Sequence, residues 1–130
     1  MEVSIDVADA IQAALNEAGH GASAIPLPGD FEGRLPFTRV EVVGGTRSQV
    51  VLDQVNVHLD TWADTHAGAV RESSAVAAEL VEMAGSTLGG SQLYSVKLAS
   101  LPHEDADADH PSLPMASFMA QVTVRTRHID

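Results

Sequence analysis

Hydrophobic positions along this chain switch repeatedly between a helical and a strand period. Val7, Ala8, Ile11, Ala14, Leu15 and Ala18 recur at helical spacing, with Ser4 or Asp6 placed to cap the start and Gly19 and Gly21 to stop it. From Ala22 to Pro36 the punctuation by Pro26, Pro28, Gly29, Gly33 and Pro36 predicts a surface connection, pinned to the body by Ile25, Leu27, Phe31 and Leu35. Phe37 to Val43 is rich in β-formers, and Gly44-Gly45 supplies turn chemistry. In the next run Val55, Val57 and Leu59 alternate with Gln54, Asn56, His58 and Asp60, the pattern of a strand with one buried and one wet face. Pro36 to Ala63 therefore reads as a long β-hairpin joined through Gly44 to Gln49.

Asp64 or Thr65 can cap a second helix running to about Ala84. Its stripe of Val70, Ala77, Val81 and Ala84, flanked by Val76, Leu80 and Met83, suits a helix lying on a sheet, with Gly85 and then Gly89-Gly90 to end it. A second hairpin follows from Gln92 to Arg127. Its strands are Leu93 to Leu101 and Met115 to Arg127, and in the latter Phe118, Ala120, Val122 and Val124 alternate with polar or long side chains. The acidic stretch between them, residues 102–114, carries Glu104, Asp105, Asp107 and Asp109 and reads as a solvated, mobile loop. The order α-β-β-α-β-β predicts one α+β domain over residues 1–130: a mainly antiparallel four-stranded sheet with two helices packed on one face.

Composition narrows this picture. A chain of 130 residues buries roughly two-thirds of its unfolded surface. With 45% hydrophobic but only 4% aromatic residues, the core must be built from Val, Leu, Ala and Ile, and subunit association is a natural way to complete it. Cysteine is absent, which excludes disulfides and thiolate metal sites. The acidic start, Met1 to Asp6, does not look like a signal peptide, and no apolar run approaches the ~20 residues of a membrane helix. A soluble protein made in the cytoplasm is expected. Seven Lys plus Arg against 18 Asp plus Glu give a formal charge of −11, which argues against gripping nucleic acid, since Lys and Arg carry phosphate binding. It leaves room for a surface past which DNA slides.

Three clusters invite chemistry. Asp105, Asp107 and Asp109 open like a calcium loop, but His110 stands where that loop needs Gly and Ala116 where it needs a bidentate Glu, so a charged loop is expected. His103 and His110 flank the same carboxylates and carry zinc-ligand chemistry, but the intervening loop fixes no geometry. His58 and Asp60 share a polar strand face with Asn56 and Gln54. There they could form a catalytic or metal constellation, or a solvated or subunit-packed face on which Arg125 and Arg127 pair with Asp60. No phosphate loop, nucleophile elbow or helical His pair is present, and Trp62 and Tyr94 read as core or interface residues. The expectation is a non-enzyme with no catalytic residue, cofactor or metal.

The stretch Leu35 to Gly45, then Val55 to Ala63 running into an Ala-rich helix, and the closing Val122-Thr123-Val124-Arg125 resemble the tail terminator, or tail completion, proteins of long-tailed bacteriophages. That resemblance implies a virion protein at the head-proximal end of the tail: a ring, usually a hexamer, that caps the tail tube, stops its polymerisation and meets the head–tail connector, while DNA passes through without specific binding. It implies no catalytic residues. Contacts would fall on hairpin loops and strand faces, here Gly44, Gly45, Arg47, His58, Asp60, Arg125 and Arg127, with Glu104, Asp105, Asp107 and Asp109 as interface or lumen candidates. Two other readings remain open: an α+β enzyme or ligand-binding dimer with its site around His58 and Asp60, and another neck or connector component.

Overall fold

The computed structural model describes residues 1–24 and 27–130; Ile25 and Pro26, which the sequence places in the pinned connection, lie outside the described residues. The elements run β1 (Glu2–Val3), α1 (Val7–Glu17), β2 (Ala22–Ala24), a 3-10 turn (Phe31–Arg34), β3 (Phe37–Gln49), β4 (Leu52–Trp62), α2 (His66–Glu82), β5 (Thr87–Leu88), β6 (Ser91–Leu98), β7 (His103–Asp105), β8 (Met115–Arg125) and β9 (Arg127–His128). The class is α+β, but the expected mainly antiparallel four-stranded sheet is corrected. Seven strands form a mixed sheet, curled into a half-barrel, in the order β2-β3-β4-β8-β6-β5 with β7 also on β8, and β1 and β9 form a separate two-stranded ribbon. The connection after α1 supplies β2, which pairs parallel to β3, because Asn16 receives the Ala22 N–H on its side-chain oxygen and donates its amide to the Ala22 carbonyl, docking the segment against the helix end.

Both helix starts resolve to one residue. Asp6 accepts the Asp9 N–H and Thr65 accepts the Gly68 N–H, each satisfying a donor that the first helical turn leaves free. α1 and α2 pack on the same sheet face, where Val7, Ile11, Leu15, Val76, Ala77 and Leu80 meet Val40, Val57, Leu59, Phe118, Ala120, Val122 and Val124. The alternation read in β4 and β8 is realised in register: Leu59 lies opposite Phe118, Val57 opposite Ala120 and Val55 opposite Val122. No described helix is long and apolar enough to cross a membrane.

The glycine pairs do different work from that expected. Gly44-Gly45 does not turn the chain; β3 continues through it to Gln49, and the hairpin reverses at Val50-Val51. A register shift lies between Val42 and Gly44, and the glycines absorb the local twist of that bulge, Gly44 at φ +138°. At Gly45 the neighbouring strand comes so close that a Cβ would collide with the Gln54 carbonyl oxygen and reach 3.0 Å from the Val55 Cα. Gly89 and Gly90, both at positive φ, form the two-residue turn between β5 and β6.

Gly45→Ala is therefore expected to lower stability by about 1–3 kcal/mol, the scale of locally forced backbone. Gly33→Ala, whose Cβ would meet nothing within 4 Å, should be near neutral. Urea denaturation of both variants checks the contrast.

Candidate functional site

The sheet face opposite the helices is polar across its breadth. Because opposed residues of a pleated sheet share a face, the register places Gln54, Asn56, His58 and Asp60 of β4 beside Thr123, Gln121, Met119 and Ser117 of β8. Glu41 and Arg39 of β3 and Lys97 of β6 extend the same face.

At one end of this face Asp60 is the node. It is 2% exposed. One carboxylate oxygen accepts from the Arg39 guanidinium at 2.5 Å; the other accepts the Ser117 hydroxyl at 2.5 Å and lies 3.2 Å from His58 Nε2. Arg39 also lies over the Trp62 ring at 5.3 Å, so its cation is held between an aromatic face and a buried anion. The expected pairing of Asp60 with Arg125 or Arg127 is corrected by the register. Arg125 lies opposite Leu52, about 26 Å from Asp60 along β4 at ~3.3 Å per residue. Arg127 belongs to β9 and faces a groove shared with Asp6, Asp9 and Gly89. Arg39, on the neighbouring strand directly opposite Asp60, takes the partnership instead; its place in a β-rich run could have flagged it.

Residues 102–114 carry more order than their composition announces. Residues 103–105 form β7, which lays Asp105 against Met115 and brings its carboxylate to His58 and Asp60; ligand atoms of these three all lie within 4.8 Å of one another. Asp107 turns inward. It accepts the Trp62 indole N–H at 3.2 Å and contacts His110 Nδ1 at 2.7 Å, and His110 in turn packs edge-on to Phe31. Burial alone would raise the Asp107 carboxyl, but hydrogen bonds from His110, the Asp109 N–H and Trp62 outweigh it and hold the group below its ordinary value. The three aspartates of the calcium-like run therefore do not converge on one point. Asp109 and Glu104 stay exposed, and His103 turns to the Leu101 carbonyl, not toward His110.

Gly44, Gly45 and Arg47 line a different feature, a groove of about 570 Å³ between the start of α1 and the β3–β4 hairpin. Ile5, Val7, Val42 and Val55 make its wall apolar. At its end Arg47 donates to Asp53 at 2.7 Å, and the Ser4 hydroxyl donates to the second Asp53 oxygen. The Arg47 hydrogen bond lowers the Asp53 carboxyl below the ordinary 3.8; burial opposes it, and Ser4 adds to the lowering. Glu2 is lowered as well, by bonds from Thr126 and His128, so the β1–β9 ribbon and the hairpin meet through carboxylates kept charged.

Two outcomes follow from these networks. Asp60→Ala should cost about 3 kcal/mol in urea denaturation, since it leaves Arg39 and Ser117 without their acceptor. Asp53 has a folded pKa below its unfolded one, so its contribution is complete above the unfolded value of 3.8 and disappears as pH falls through the lower folded value. Thermal melts from pH 6 down to pH 2 should therefore lose stability below about pH 4, with a shallower loss in Asp53→Asn.

No protein-family model matches this chain, and no curated protein matches it.

Proposed function

We propose that this chain is a structural subunit that meets copies of itself in a ring, of the kind that caps a finished phage tail tube, ends its polymerisation and joins the tail to the head connector. The single observation that carries the reading is that, among the described residues, part of each edge of the sheet has no strand partner. Among the described residues β3 has no strand on its outer side beyond Val40, so from Glu41 to Gln49 it is paired as a strand by β4 alone. On the far side, among the described residues, β6 has no outer strand partner after Leu93. Unpaired backbone donors and acceptors at a sheet edge favour pairing with another chain unless they are covered. Head-to-tail repetition of one such contact closes into a ring when its rotation does.

The outer half of β3 and the turn after it add exposed apolar surface, with Val42 at 41%, Val43 at 47% and Val50 at 75% exposure. Isolated exposed valines are ordinary, but three on one projecting hairpin are what a contact surface supplies. The acidic balance fits a lumen from which passing DNA is repelled. In this reading the protein is made in the host cytoplasm and resides in the virion, with the tail tube and connector proteins as its further partners.

Size-exclusion chromatography with light scattering should give a discrete species near six times 13.6 kDa, and tails assembled without the protein should grow past their normal length or lack heads. Tails of normal length joined to heads in its absence would overturn the proposal. The groove beside Arg47 favours a second reading, small-ligand binding, because apolar concavities with a few convergent polar groups are the usual form of such sites. Under that reading the protein stays a monomer or dimer, and ligand protects the Ser4–Ala8 amides from hydrogen exchange.

A further inference from the structure

We infer that His58, Asp60 and Asp105 form a binding site for one divalent transition-metal cation of the zinc type, which ties the acidic 102–114 segment to the polar face of the sheet. The donor set is one imidazole nitrogen and two carboxylates. That is borderline-hard chemistry suited to Zn²⁺ and its first-row neighbours, and a poor match for the six or more oxygens that calcium takes.

The first support is the pair His58 Nε2 and Asp60 Oδ1, 3.2 Å apart. Two bare lone pairs do not attract at this distance, so the contact is bridged either by a ring N–H or by a metal ion. Two ligands at ~2.0–2.2 Å from a tetrahedral ion sit roughly 3.3–3.6 Å from each other, so this pair is already set at close to ligand spacing.

The second support is the way Asp105 arrives. It comes from a distant stretch of chain, carried by β7 against β8, and places a second negative charge within 4.8 Å of the first two groups. Asp60 already has one compensating cation in Arg39, and Arg39 holds the oxygen facing away from His58. Asp105 has no matching cation in this cluster, so a proton on His58 would be shared by two carboxylates, whereas a divalent ion satisfies both. Asp105 is exposed, held locally by the bond its Oδ1 accepts from the Ala106 N–H, and a side-chain rotation closes the remaining ångström or so.

The surroundings resemble a supported metal site. The ligating carboxylate of Asp60 is itself oriented, by Arg39 on Oδ2 and by the Ser117 hydroxyl on the Oδ1 that faces His58. His58 and Asp60 project from a central strand that is paired on both sides, so neither donor depends on a loop for its position.

Isothermal titration of the full chain with zinc chloride tests the assignment. One Zn²⁺ per chain is expected, with affinity weakened at least tenfold in His58→Ala and in Asp105→Ala, both of which alter solvent-accessible side chains and leave the core intact. His103→Ala serves as a control on the same strand. His128→Ala removes a competing cluster in which that ring contacts Glu2 and Asp130. Both controls should bind as the parent does. In ¹⁵N spectra of the imidazoles, the His58 ring should be the one shifted by zinc. Absence of binding, or binding that survives His58→Ala and Asp105→Ala, overturns the inference.

Discussion

The register of β4 between β3 and β8 is the constraint on which the remaining structure depends. Every residue from Leu52 to Trp62 has a partner on β8. Because side chains alternate, this pairing sorts Val55, Val57 and Leu59 toward the helices and Gln54, Asn56, His58 and Asp60 away from them. A slip by one residue would put His58 and Asp60 under the helices and Leu59 into solvent. The two hydrophobic helices thus do more than cover a sheet: they make the register unique, and the register in turn assembles the polar face.

Beyond that face, connecting segments supply the closure that helices give on the other side. Phe31, Phe37, Trp62 and Met115 form a second apolar cluster at one end of the polar face, joined by Leu27, Leu35 and Leu113. These residues come from the punctuated connection and the acidic segment as well as from strands. Two stretches that look like spacers in composition are therefore folded onto the sheet, the first through Phe31 and its leucines and the second through the β7 pairing, Asp107 and Leu113.

How much of this was legible in the sequence follows from the range of the signals. Periodicity over seven or more residues reveals α1, α2, β4 and β8, and the pinning role of Phe31 and Leu35 is visible as apolar residues inside a Pro/Gly stretch. Short elements escaped, because the three residues of β2 or β7 carry no period and exist through pairing with a strand already in place. Gly44-Gly45 misled for a related reason. Glycine marks a backbone need, but whether that need is a reversal or a bulge under a neighbouring strand is decided by the partner. At the polar face, His58 and Asp60 were identifiable from alternation. Arg39 as the partner of Asp60, and Asp105 as their neighbour, depended on long-range register that no local pattern encodes.

Trp62 is the only tryptophan in the chain, and it is wholly buried. Its indole ring lies beneath the Arg39 guanidinium, and its N–H reaches Asp107. The chain thus carries a single indole fluorophore at the junction of sheet face, aromatic cap and acidic segment. Light emitted from that one ring would report whether the segment is seated, without any label being attached.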